Sequence, residues 1–283
     1  MGAIVLPGRL RRTALVVWEV HALRLLHRIS SGVASLLICG LIVAAAEAHF
    51  LVLLPSADVV EEPGSRSVEL AIEFTHPMEG GPAMEMGPPR RFGVLVDGKS
   101  YDLLGELVPR DVGGKTAYTA SARLLRPGDH VFFIEPAPYW EPAERKMIIH
   151  STKVVVDFLG AETGWDAMVG FPVEIEPLVR PYGLWTGNTF RGIVKREGRP
   201  VPFATVEVEY FNPDGRVRLP NDAFVTQVIK TDAQGVFSYS MPRAGWWGFA
   251  ALVDGNEKMT APDGLPVDVE LGGLIWVKTV DMD

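Results

Sequence analysis

Cysteine is all but missing: Cys39 is the only one in 283 residues, and it lies inside an apolar run near the amino terminus. A disulfide framework and a cysteine nucleophile are therefore both excluded, and a sizeable core must carry the stability. Catalytic signatures are missing too. Ser121, Ser151 and Ser238 have no G-x-S-x-G context, and no H-E-x-x-H occurs. Carboxylates such as Glu141 and Glu144 lie close enough in sequence for acid–base work, but acidic residues of this kind are expected at a solvated surface. The expectation is a protein that is not an enzyme. Beyond residue 48 there is also no sustained helical periodicity.

Positive charge is in short supply. Setting aside the five arginines and two glutamates of residues 1–48 leaves 22 basic against 33 acidic residues, a net charge near −11. Such a surface repels nucleic acid and anionic lipid and mildly attracts cations, so no nucleic-acid partner is expected.

The first 48 residues differ from the rest. Arg9, Arg11, Arg12, Arg24 and Arg28 precede a run from Val33 to Ala46 that is almost wholly apolar and small, and Ala46-Glu47-Ala48 fits the A-x-A cleavage pattern. The run falls short of the roughly 20 residues a membrane span needs. Residues 1–48 therefore read as a secretory signal peptide cut between Ala48 and His49. Ile38 stands where a lipoprotein site at Cys39 would want a small residue. The expected location is the periplasm, with tethering by an uncleaved segment as the alternative.

After residue 49, short β-branched or alternating runs dominate: Phe50–Leu54, Val68–Phe74, Phe92–Val96, His130–Glu135, Lys153–Asp157, Val206–Phe211 and Phe224–Lys230. Turn signals such as Asp97-Gly98, Pro127-Gly128, Pro213-Asp214-Gly215 and Asp254-Gly255 separate them. The pattern predicts an all-β protein of two β-sandwich domains. A proline-rich passage from Glu174 to Gly183 marks a crossing, giving an N-terminal metal-binding sandwich at 49–178 and a second sandwich at 182–283. Three hairpin-like units in the second make it similar to transthyretin-like or carboxypeptidase-regulatory-like modules. Arg180 and Arg191 are expected to staple the halves through acidic partners.

Four histidines lie beyond residue 48: His49, His76, His130 and His150. At a new amino terminus, His49 offers its imidazole Nδ1 and the α-amine to one metal ion as a single chelate. The α-amine has a reference pKa near 7.7–8.0, so a metal displaces its proton at neutral pH. Nitrogen pairs of this kind suit Ni(II), Co(II) or Cu(II). A second stretch, Phe74-Thr-His-Pro-Met-Glu-Gly-Gly-Pro-Ala-Met-Glu-Met86, puts His76, Met78, Met84 and Met86 in a loop with no period that would bury the methionines. Imidazole and thioether together form a borderline-soft donor set. His150 lies in a strand-like run after the aromatic, acidic stretch Glu135-Pro-Ala-Pro-Tyr-Trp-Glu-Pro-Ala-Glu144, which is expected to wall a site. His130 follows Pro-Gly-Asp and is expected to be solvated.

These phrases, with Ile149-His-Ser-Thr-Lys, Gly187-Asn-Thr-Phe-Arg-Gly and Ala244-Gly-Trp-Trp-Gly-Phe-Ala-Ala, resemble the periplasmic subunits of bacterial nickel/cobalt uptake transporters of the energy-coupling-factor type, a family largely described as a domain of unknown function. The resemblance implies capture of Ni(II) or Co(II) and delivery to a membrane subunit of such a transporter. By position it puts His49 and His76 first as ligands, then Met78, Met84, Met86 and His150. Two rivals stand beside it. One is a copper protein or oxidative enzyme with a histidine brace. The other is a metal-free structural sandwich protein.

Overall fold

The computed structural model describes residues 49–64 and 66–283; the expected signal peptide, Cys39 and the Ala48–His49 cleavage site lie outside the described residues. In chain order the first half carries β1 (Phe50–Pro55), β2 (Val59–Val60), β3 (Ser67–Thr75), β4 (Arg91–Val96), β5 (Lys99–Asp102), β6 (Val108–Val112), β7 (Lys115–Arg123), β8 (Gly128–Glu135), β9 (Tyr139–Glu141) and β10 (Lys146–Phe158). The second carries β11 (Val173–Pro177), β12 (Leu184–Trp185), β13 (Thr189–Arg196), β14 (Arg199–Pro200), β15 (Thr205–Tyr210), β16 (Gln227–Lys230), β17 (Val236–Ser240), β18 (Gly245–Asp254), β19 (Met259–Thr260) and β20 (Pro266–Val280). The fold is all-β, as the alternating runs predict. Phe224 departs from the expectation: it closes a 3-10 turn at Asp222–Phe224, and the strand begins only at Gln227. Asp97 and Gly98 both take positive φ, 49° and 70°, which fits the tight turn from β4 to β5.

Three sheets form. The first has the order β1-β3-β7-β6 and the third is β11-β13-β14 with β17 beside β13. Between them runs the longest, β16-β15-β18-β20-β10-β8-β4-β5. It is drawn from both halves of the chain, because β20 pairs antiparallel with β18 and parallel with β10. Successive side chains on a strand point to opposite faces, and β20 uses both. Leu274 and Trp276 join the core of the first half, with Phe50, Leu51 and Phe132. Ile275 and Val277 join the core of the second, with Phe190, Val208 and Phe249. The indole of Trp276 donates Nε1–H to the Leu51 carbonyl at 3.0 Å, so its one polar group is satisfied in the interior.

The sandwiches expected at 49–178 and 182–283 thus share their middle layer, and the described residues belong to one unit, Ala46–Asp283. The expected crossing, from Glu174 to Gly183, also begins inside β11 (Val173–Pro177), which pairs with β13 and packs into the second core. The proline-rich composition marks the crossing, while the strand at its start already belongs to the later sheet. Among the described residues, no helix is long and apolar enough to cross a membrane.

Of the arginines expected to staple the halves, Arg180 does find an acidic partner in the first half, but a second, buried link joins them too. Arg180 pairs with Glu162 at the surface, and its guanidinium lies over the Tyr182 ring, whereas a fully buried ion pair joins β10 to β11. Lys153 Nζ lies 2.6 Å from Glu174 Oε1. That carboxylate also accepts the N–H groups of Val169 (2.8 Å), Gly170 (2.9 Å) and Phe171 (3.2 Å), which hold the intervening loop down. Burial pushes the Lys153 ammonium below its usual pKa, and Glu174 opposes the shift. Removing one partner leaves the other charge buried and unpaired, which costs about 3–5 kcal/mol. Glu174→Ala is therefore expected to lose stability of that order in denaturant unfolding. A loss under about 1 kcal/mol, the level of a surface pair, would show that the buried pair does not hold the halves.

Candidate metal centre

The register of the first sheet builds the site. β1 and β3 are antiparallel, with Phe50 opposite Thr75 and Leu51 opposite Phe74. One step further along the same register, His49 stands across from His76. Directly opposed residues bring their side chains together, and the two imidazole centroids lie 4.7 Å apart. Both residues are buried. His49 is not a loose end: it leads straight into a strand whose six residues are all buried.

The loop beyond His76 is held from two sides. Thr75 Oγ1 donates to the Gly81 carbonyl at 3.0 Å, and Gly81 N–H donates to the His76 carbonyl at 3.1 Å. From the second half, Asn212 Nδ2 donates to the Met78 carbonyl at 3.0 Å and Glu209 Oε2 accepts Met78 N–H at 3.1 Å. These partners lie more than 130 residues away in the chain, and nothing local in the sequence points to them.

Around the histidine pair stand residues from two other strands. β9 pairs with β10 and places Tyr139 and Glu141 beside the site. The Tyr139 ring is 5.9 Å from that of His49. Glu141 Oε2 lies 2.9 Å from His49 Nε2, and its Oε1 accepts Ala143 N–H at 2.8 Å. Glu141 was expected at a solvated surface; it is buried, because β9 folds its short strand back over β10. The aromatic loop forms a wall as expected: Pro136, Ala137, Pro138, Tyr139 and Trp140 line a cavity of about 270 Å³ together with Phe74, Met86 and His150.

His150 is present but occupied. Its Nδ1 donates to the His49 carbonyl at 2.7 Å, and its Nε2 faces Glu270 Oε1 at 3.0 Å. Both ring nitrogens are spent, so His150 buttresses the backbone of His49 and offers no lone pair to a metal. Its ring lies over Gly272, opposite it on β20, where a Cβ would come within 2.3 Å of His150 Cδ2; only glycine leaves that space. Glu270 is held near pKa 2: burial opposes its charge, and the His150 ring and the Lys146 ammonium more than offset this.

The methionines separate. Met84 N–H bonds to the Phe74 carbonyl at 2.7 Å, so the loop turns back along β3. That brings Met86 into the first core and Met84 against it. The expectation that no period could bury them missed this non-local pairing. Met78 lines a different cavity, of about 410 Å³, with Tyr210, Phe224 and Trp247. His130, expected to be solvated, is fully buried. Its Nε2 accepts Leu125 N–H and its Nδ1 donates to the Gly128 carbonyl, both at 3.0 Å, so the turn folds around it.

Burial is the main influence that pushes the His49 imidazole below its ordinary pKa; His76 adds to it and Glu141 opposes it. A neutral ring is the form that binds metals. Among the described residues no group of three or more His, Cys, Asp or Glu side chains is disposed to hold a metal ion. His49 and His76 by themselves bring two imidazoles together, fewer than such a group needs.

The family described as a domain of unknown function (DUF4198) matches residues 46–255. The chain belongs to that family. The span matched in this DUF4198 chain contains His49, His76, Glu141 and His150 and stops short of β20 and Glu270. No curated protein is a significant match. Similar solved structures include the D0-D1 domain of intimin, at 14% identity over 82% of this chain and 100% of that one, with a TM-score of 0.24. Dimeric latent PorU from Porphyromonas gingivalis shares 14% identity over 80% of this chain and 20% of its own, with a TM-score of 0.22. Fibronectin(III)-like modules of Clostridium thermocellum CbhA share 10% identity over 82% of this chain and 95% of theirs, with a TM-score of 0.19. At these scores the likenesses carry no argument about the site.

Glu209, which holds the His76 loop, has its carboxyl pushed up to about 8, chiefly by burial. A carboxyl whose folded pKa is raised favours the fold fully below its unfolded value, near 4.5, and that contribution is lost as pH rises through the folded value. Glu209→Gln keeps the shape without the ionisation. It is expected to lose less stability than the wild type between pH 5 and pH 8. Equal losses for the two proteins in thermal unfolding would contradict this.

Proposed function

We propose that the mature protein, beginning at His49, captures Ni(II) or Co(II) outside the cytoplasm and passes it to a membrane subunit of a nickel/cobalt uptake transporter. The observation that carries the reading is the buried juxtaposition of His49 and His76 at the joined ends of β1 and β3, with ring centroids 4.7 Å apart. Three nitrogens follow from it: the α-amine and Nδ1 of His49, and one from His76. Capture from a periplasmic pool suits such a set, because imidazole and amine bind late transition metals without a cage of carboxylates. The acidic surface favours the approach of cations.

The binding ligands must be free of protons, so affinity is expected to fall as pH drops from about 8 to 6. Calorimetry with Ni(II) is expected to show a loss of at least ~10-fold for His76→Ala, on the scale of what even outer-shell changes cost. One extra residue ahead of His49 removes the amine and is expected to weaken binding at least as much. Unchanged affinity in the extended protein would sink the amino-terminal chelate. His130→Ala is no neutral control, since that ring is part of the core.

A second reading, a copper histidine brace, has one observation in its favour: the Tyr139 ring, which lines the cavity, stands 5.9 Å from that of His49. Met86 lines the same cavity. An oxidisable thioether beside a reactive copper–oxygen centre invites self-damage, which favours capture. The capture reading expects the Cu(II)-loaded mature protein, given ascorbate and peroxide, to consume no more peroxide than free Cu(II) does. Turnover above that level, abolished by His76→Ala, would make the brace the better account.

A further inference from the structure

We propose that Glu141 is a positioning residue: its carboxylate holds His49 in the tautomer with the proton on Nε2, and so leaves Nδ1 bare for the chelate with the α-amine. The proposal rests on the capture reading above. It adds a role for a residue that touches no metal.

An ionised carboxylate only accepts hydrogen bonds. With Glu141 Oε2 at 2.9 Å from His49 Nε2, the proton of a neutral ring belongs on Nε2. The carboxylate cannot swing away freely, because its other oxygen is tied to Ala143 N–H at 2.8 Å. Both partners are buried, so water competes little for either. The other side of His49 is fixed as well. His150 Nδ1 donates to the His49 carbonyl at 2.7 Å, and His150 is itself set by Glu270, whose second oxygen meets Lys146 Nζ at 2.6 Å. Ring and backbone are thus clamped from two directions by two separate carboxylates.

The choice of nitrogen matters for a geometric reason. The α-amine and Nδ1 of one histidine close a six-membered ring on a metal ion. Nε2 points away from the backbone and cannot close such a ring with its own amine. A metal on Nε2 would also have to displace the Glu141 carboxylate, 2.9 Å away. A carboxylate on the far nitrogen of a metal-binding imidazole fixes its orientation and raises its basicity, and losing such a partner typically costs 10–100-fold in affinity.

The test begins without metal. Long-range proton–nitrogen NMR on the mature protein, labelled at histidine nitrogens and held near pH 7.5, reads which nitrogen of His49 carries the proton. The wild type is expected to show protonated Nε2 and bare Nδ1. Glu141→Ala is expected to lose that preference and to bind Ni(II) about 10-fold or more weakly, with its circular dichroism unchanged. If the wild type carries its proton on Nδ1, the inference is overturned whatever the affinities. It is equally overturned if the folded Glu141→Ala protein binds Ni(II) as tightly as the wild type. Should the variant fail to fold, the wild-type spectrum still decides the tautomer. A wild type with the expected tautomer that binds no Ni(II) would overturn the capture reading and the positioning role with it, and the intact spectrum would tell this failure from the first.

Discussion

The pairing of β20 with β10 is the constraint on which the other features depend. It is parallel, and it joins β10, from the middle of the described chain, to β20, its last strand. Parallel neighbours need a long crossover, and here the whole second sandwich serves as one. Because β20 sends alternate residues into two cores, neither core is complete without it. The two adjacent glycines at its centre make the close packing possible. A Cβ on Gly272 would strike the His150 ring, and one on Gly273 would come within 2.4 Å of the Val173 carbonyl on β11. One short stretch of bare backbone thus admits the site on one face and the third sheet on the other.

The candidate centre borrows from both halves of this arrangement. The first sheet supplies the opposed histidines. β9 supplies Glu141, β10 supplies His150, and Glu270 comes from β20. Even the His76 loop is docked on Asn212 and Glu209 of the second half. Burial is what gives the cluster its chemistry, since it pushes the His49 ring toward its neutral form and strengthens each polar contact around it. A second sandwich that looks like a mere support is in this sense part of the site.

Several features were legible in the sequence because their causes are local. Alternation of apolar and polar residues marked seven runs that fall on strands, though it passed over others, β18 and β20 among them, and Asp-Gly and Pro-Gly pairs placed several turns. His49 and His76 stood out by chemistry and position, as did the aromatic wall. Glu141 did not, since acidic residues in a loop carry no mark of burial. Met84 and Met86 were misread because their packing rests on a bridge to Phe74 that no periodicity announces. His130 looked solvated because its neighbours are turn residues, yet its two nitrogens satisfy the backbone of that same turn.

By itself, the sequence determined the all-β character, the scarcity of cysteine and the acidic surface, all consequences of composition and of a two-residue period. Tertiary structure decided the rest. It put His49 across from His76 through a register that only the paired strands define. It spent both nitrogens of His150 on neighbours about 100 or more residues away in the chain, and it sent the methionines to separate places. A side chain's role at a buried site is set by what stands within about 3 Å of its polar atoms, and in a fold of non-local pairings those neighbours come from distant parts of the chain.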